Sequence, residues 1–310
     1  MLDSGIDVAV VATPVQYHAE QAALALDRGV HVISEVTACH DMESAERLVR
    51  AARRSKAVYM MAENYRYFDQ VELLKRMADD GRFGELYYGE GEYLHDCRDL
   101  TRNADGSLTW RGRPWGYIYC THSLGPLLYI LEDRVERVSA MDTGLPSRLE
   151  AAIDQPEMNC FLAKTVAGRM LRVRVDGRSP RPHKMDYYAL QGTRGAYEAW
   201  RGLGDEDKVW LADDHEESHC AAGADWHRLA QYAERYIPER LAAGKEARLG
   251  EHGTSEYWLL KDFFAGVRSE RESPIDVYRA LDYTIPGICA YDSARRGGEP
   301  VDVPDSRGML

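Results

Sequence analysis

Up to residue 83, apolar positions alternate between short unbroken runs and longer stretches at helical spacing. Val8-Ala-Val-Val-Ala12 reads as a strand buried on both faces, ended by Thr13-Pro14. From His18 to Arg28, Ala19, Ala22, Ala23 and Leu26 share one helical face, Gly29 suits a left-handed helix end, and Val30 to Ile33 returns as a strand. This βαβ unit repeats its logic. Asp41 is placed to cap a helix running to Ser55, and Ala57 to Ala62 is the next strand. Asp69 with Glu72 predicts a capping box for a further helix that stops near Gly81. Strands of a parallel sheet present ligands at their carboxyl ends, which here carry Thr13, Pro14, His18, Glu35 and Asn64.

Beyond residue 83 the rhythm changes. Strands are predicted at Leu86 to His95, Arg137 to Met141, Asn159 to Thr165, Arg169 to Asp176 and Met185 to Gln191, with a hairpin at Ala167-Gly168 and a turn at Gly192 to Gly195 into Ala196–Trp200. Gly89 and Gly91 permit close approach of another backbone or a ligand. Asp96 to Gly116 reads as a polar loop rich in Arg and Trp, and His122 to Leu131 as a short buried helix with Pro126 in its first turns. Residues 201–225 read as irregular, and helices are expected at Trp226–Tyr236, Thr254–Gly266 and Asp276–Arg295, the last kinked or divided by Pro286. Ser179 to Pro182 and the tail from Gly297 read as turns or loosely held chain, and there is no internal repeat. The expected fold class is α/β + α+β: an incomplete Rossmann-like parallel sheet in residues 1–83, then a mixed or antiparallel open sheet with helices in residues 84–310, the C-terminal helix packing back on the first domain.

Charge and cysteine content narrow the function. The 310 residues carry 51 acidic and 39 basic side chains, a net charge of −12, which disfavours a nucleic-acid partner. The six cysteines show no ligand-type spacing, so neither a zinc site nor a disulfide framework is expected. The Asp213 to His219 run reads as a solvated acidic loop rather than a metal site. No membrane span and no signal peptide are expected, and a cytoplasmic location follows from that reading. Chemistry concentrates in Glu35-Val-Thr37, Glu63-Asn-Tyr-Arg-Tyr67, Tyr93-Leu-His-Asp-Cys-Arg98 and Tyr119-Cys-Thr-His-Ser-Leu-Gly-Pro126. Tyr and His exchange protons, Arg orients hydroxyls or carboxylates, and Trp stacks on a sugar face.

At these residues the sequence resembles the Gfo/Idh/MocA oxidoreductases, and within them the NAD-dependent branch known as glycoside hydrolase family 109. The resemblance runs over residues 6–305 and rests on Ala12-Thr-Pro14, His18, Gly29 to Glu35, Glu63-Asn64, Tyr67, Tyr93, His95 to Arg98, Trp110-Arg111, Tyr119, Thr121-His122, Gly125-Pro126 and Asp276-Val-Tyr278. Where sugar dehydrogenases of the family carry Lys after the Glu and Asp four residues before the His, this chain has Val36 and Ile118. The resemblance implies transient oxidation of a glycoside or amino-sugar glycoside at carbon 3, elimination, water addition and re-reduction, with NAD+ regenerated in each cycle. It implies catalytic roles for Tyr67, His95, Tyr119 and His122, substrate contacts for Glu35, Arg98, Trp110 and Arg111, and NAD contacts for Thr13, Pro14, His18, Glu35 and Asn64. It also implies a carbohydrate substrate and a homo-oligomer. No G-x-G-x-x-G precedes Val8, so the family's phosphate-binding unit is expected to be missing, with an exposed sheet edge in its place. The competing readings are an NAD(P)-dependent sugar or cyclitol oxidoreductase and an inactive sugar-binding remnant.

Overall fold

The computed structural model describes residues 2–113, 117–214, 226–269 and 271–309. Trp115 and Gly116 of the Arg/Trp loop, residues 215–219 of the acidic run and Cys220 lie outside the described residues.

The chain begins as β1 (Val8–Val11), α1 (His18–Leu26), β2 (His31–Ser34), α2 (Met42–Arg54), β3 (Tyr59–Met61) and α3 (Asp69–Asp79). The three strands form a parallel sheet in the order β1-β2-β3. Asp41 caps α2 as expected, its carboxylate accepting from Ser44 N at 2.8 Å. The capping box expected at Asp69 does not form, because the Asp69 carboxylate is taken by Arg240 Nη1 at 3.1 Å and Thr254 Oγ1 at 2.7 Å; Phe68 stands at the helix start. The strand expected to be buried on both faces is buried on one. β1 lies at the sheet edge, and its Val10 is 70% exposed.

After β4 (Leu86–Leu94) and α4 (Thr121–Leu131) come β5 (Val135–Asp142), β6 (Met158–Thr165), β7 (Met170–Asp176), β8 (Lys184–Gly192), β9 (Gly195–Glu198), β10 (Lys208–Leu211) and β11 (His227–Arg228). The short helices α5 (Ala233–Tyr236) and α6 (Pro238–Leu241), then α7 (Ser255–Ser269), α8 (Val277–Arg295) and β12 (Val301–Asp302), complete the chain. A nine-stranded sheet runs β11-β10-β9-β8-β4-β7-β6-β5-β12, with β4 parallel to β7 and every other pair antiparallel.

Several expectations give way here. β10 occupies chain read as irregular, burying Val209 and Leu211 completely. The helix expected at Trp226–Tyr236 is mostly replaced by β11 and a 3-10 turn, since His227 pairs with Val209. α8 runs unbroken through Pro286. The tail is not loosely held: β12 pairs with β5, and the Arg53 guanidinium donates to Arg307 O at 2.7 Å and also to Met309 O. α8 packs on β5, β3 and α2, so it touches both sheets.

α4 is seated on β4 by backbone contact. A Cβ on Gly91 would lie 2.2 Å from the Ser123 carbonyl oxygen, so the close approach foreseen for Gly91 is to helix backbone. Pro126 sits in the second turn of α4, past the positions whose N–H would be free in any case. Its missing N–H leaves the His122 carbonyl without a helical donor, and the fully buried Tyr188 hydroxyl fills that place at 2.6 Å. Tyr188→Phe is therefore expected to cost about 1–3 kcal/mol, the penalty for an unsatisfied buried carbonyl. Urea unfolding reads the loss, and a variant as stable as the wild type would show that this hydroxyl does not carry the carbonyl's desolvation.

Candidate active site

The carboxyl ends of β1–β3, the end of β4, the start of α4 and the start of α7 enclose a cleft of about 630 Å³. The small sheet contributes Val10, Ile33, Glu35, Val36, Ala62 and Asn64. Facing them are Tyr65, Tyr93, His95, Tyr119 and His122, with His252 and Glu256 beside α7. His122 is the centre of this wall. Its Nδ1 lies 2.7 Å from Oε1 of Glu63, a carboxylate that is 0% exposed, and its ring stacks on Tyr65 at 4.1 Å between centroids. Gly125, one turn along α4, leaves the room that the Glu63 side chain needs. With Nδ1 engaged, Nε2 is the nitrogen left for a ligand.

Tyr93 and Tyr119 flank His122 at 5.1 Å and 5.3 Å. Burial pushes the Tyr119 phenol above its ordinary range, and the Arg111 guanidinium, 5.4 Å from the ring, pulls the other way. Burial also raises Tyr93, whose hydroxyl lies 2.7 Å from His95 Nδ1. His95 is held below the usual imidazole range by burial first and then by the neighbouring His183, Arg111 and His122. At neutral pH these phenols are proton-bearing donors, and His95 is a neutral acceptor.

Trp110 and Arg111 stand behind Tyr119, the guanidinium 4.2 Å from the Trp110 ring, and Thr109 caps the 3-10 turn that carries them. The Gln155 amide, oriented to donate, reaches the carbonyls of Arg111 at 2.7 Å and Arg113 at 3.1 Å and pins this loop.

Of the residues expected at the site, the structure brings together Glu35, Asn64, His95, Tyr119 and His122 at the cleft, with Trp110 and Arg111 in support. Four it does not. Tyr67 is buried, donates to Asp262 at 3.0 Å, and does not line the cleft; burial raises its phenol too. Arg98 is a half-exposed side chain clasping Asp96 at 2.8 and 2.7 Å. His18 is 2% exposed, with its ring nitrogens 2.8 Å and 2.6 Å from the carbonyl oxygens of Thr37 and Thr13, so it ties two loops together instead of facing a cofactor. Pro14 is exposed ahead of the 3-10 turn and does not line the cleft. Thr13 spends its hydroxyl on Gln21 at 2.8 Å.

Sequence reasoning missed the Glu63–His122 pairing and the His252–Glu256 pair, whose side chains meet at 2.6 Å. For the second, a four-residue His-to-Glu spacing at a helix start was the available signal. For the first, Glu63 was visible at a strand end but its partner was not. Among the described residues no helix is long and apolar enough to cross a membrane.

A small parallel sheet set across a His- and Tyr-walled cleft from a large open sheet is the build of the Rossmann-type oxidoreductases. In agreement, the oxidoreductase family with an NAD-binding Rossmann fold matches residues 1–63, and the C-terminal domain of glycosyl hydrolase 109 matches residues 67–309. The chain belongs to glycosyl hydrolase family 109. A family 109 protein of Saccharopolyspora erythraea is 29% identical over 326 positions, spanning 97% of this chain and 67% of that protein. One from Shewanella pealeana is 26% identical over 324 positions, spanning 97% and 69%. Levoglucosan dehydrogenase, solved in complex with NADH and levoglucosan, superposes with a TM-score of 0.76 at 22% identity over 98% of this chain and 82% of that one. An inositol dehydrogenase homologue from Azotobacter vinelandii, complexed with NADH and myo-inositol, gives 0.65 at 21% over 96% and 78%. These two share the fold.

Proposed function

We propose that this protein cleaves glycosides or amino-sugar glycosides by an NAD-dependent oxidation, elimination, hydration and reduction cycle. The observation that carries the reading is the buried Glu63–His122 pair, opening onto a cleft ringed by proton-bearing phenols. The division of labour would follow residues 1–83 for the cofactor and 84–310 for the sugar. The exposed Glu35 carboxylate and the half-buried Asn64, at the ends of β2 and β3, have the right chemistry to hold the ribose and amide of a nicotinamide. Bound NAD+ would supply the hydride acceptor at the sugar's carbon 3 and return the hydride at the end of the cycle.

The side chains do the proton work. Oxidation at carbon 3 acidifies the proton on carbon 2, and His122 Nε2, with Glu63 balancing the charge it gains, takes that proton. Tyr119 donates a hydrogen bond to a sugar oxygen on which negative charge develops, a task that a raised phenol pKa suits better than proton abstraction. His95, held neutral, accepts from Tyr93 and keeps that phenol aimed, its oxygen left to accept from a sugar hydroxyl.

Two measurements test this together: calorimetric titration with NAD+, and aglycone release from p-nitrophenyl glycosides with NADH followed in parallel. Aglycone release without net NADH is the expected result. Net NADH from a free sugar would assign an ordinary sugar or cyclitol dehydrogenase, and sugar binding without NAD+ binding or turnover would assign a sugar-binding remnant.

A further inference from the structure

A second cavity of about 400 Å³ adjoins the cleft and shares Tyr65, Met185, Glu251 and His252 with it. Its own wall is made by Gln70 from α3, His183, Lys184 and Asp186 at the start of β8, and Trp200 just after β9. His183 bridges the two spaces: it lines the second, and its ring lies 4.5 Å from that of His95, which lines the first. A ligand bonded across this junction would have one part among the reacting groups and the other against Trp200.

The chemistry of the second cavity is that of a neutral, hydroxyl-rich ring. Trp200 offers a large planar surface, 39% exposed, which is unusual for a tryptophan that serves only packing. The charges around it are already matched. Lys184 Nζ donates to Asp186 at 2.6 Å and lies 3.9 Å from the Trp200 ring centroid, Asp69 is held by Arg240 and Thr254, and His252 is paired with Glu256. Glu251 makes no ion pair among the described residues, so the one uncompensated charge here is negative and disfavours an anionic occupant. Polar groups around an aromatic plane, with no spare positive charge, suit sugar hydroxyls above an apolar sugar face.

We infer that this cavity is the leaving-group subsite, and that the leaving group it takes is a second, neutral sugar ring stacked against Trp200. The inference rests on the glycosidase reading above and narrows its substrates to disaccharides or longer chains, with the cleaved residue in the His122 cleft.

The test compares wild type with Trp200→Ala on a neutral disaccharide and on the methyl glycoside of the same cleaved sugar, whose leaving group has no ring to stack. Trp200→Ala is expected to lose about tenfold or more in kcat/KM on the disaccharide and less than about twofold on the methyl glycoside, with Trp200→Phe retaining most of the preference. Equal losses on both substrates, or none on either, would overturn the assignment. If the wild type turns over neither substrate, the glycosidase reading fails by itself and calorimetry decides the subsite. The disaccharide should then bind about tenfold tighter than the methyl glycoside, with the difference gone in Trp200→Ala; equal affinities in the wild type would reject the subsite.

Discussion

Glu63→Gln is expected to lower kcat on a glycoside by about 10²–10³-fold while KM moves by less than about threefold. The carboxylate is fully buried and sits 2.7 Å from His122 Nδ1, so it fixes which ring nitrogen faces the cleft and offsets the positive charge that the imidazole gains when it takes a proton. Glutamine keeps the volume and can still accept one hydrogen bond, but carries no charge. The loss should therefore appear in turnover, with a stability cost of only about 1 kcal/mol. Steady-state kinetics beside urea unfolding separates the two effects. A variant with unchanged kcat would remove His122 from the role of base.

Gly91→Ala is expected to cost about 3 kcal/mol or more. Two effects compete at this position. Alanine reduces the freedom of the unfolded chain and so contributes about 0.4–1 kcal/mol in favour of folding. Against that, the new Cβ would stand 2.2 Å from the Ser123 carbonyl oxygen and 2.9 Å from its carbon, backbone atoms held in the first turn of α4. The steric term wins because a helix backbone cannot step aside without moving His122 and the Glu63 contact with it. Gly89→Ala is the control, since the nearest atoms to its Cβ would be leucine methyls at 3.2 to 3.6 Å, which can rotate. Denaturant unfolding of both variants reads the difference, and equal costs would show that α4 is not fixed by this approach.

What could be read from the chain was what its neighbours in sequence determine. Asp41 and the periodic face of α2 act within one turn of each other, and the expected cap is the observed one. The same kind of pattern at Asp69 misled, because Arg240 and Thr254 reach that carboxylate from far along the chain and outbid the local amide. β10 was hidden for a related reason. Val209 and Leu211 alternate correctly for a strand, but four residues in a polar stretch gain their stability from β9, not from their own pattern. At the site, Tyr119 and His122 stood out as a cluster, whereas the partner of His122 lies 59 residues away. Tyr67 and Arg98 looked equally promising until Asp262 and Asp96 claimed them.

The clasp between the C-terminal region and the small sheet imposes an order on how the molecule is made. The N–H of Met61 on β3 donates to Ile275 O at 3.0 Å, and Ser273 Oγ donates to Tyr59 O at 2.7 Å, so the outer side of β3 is completed by chain synthesised more than two hundred residues later. On a ribosome, β1 to β3 emerge early and wait with that side unsatisfied until the segment leading into α8 is released. The half of the cleft that carries Glu35 and Asn64 therefore matures last although it is translated first, and a nascent chain stalled before residue 273 holds an unfinished small sheet.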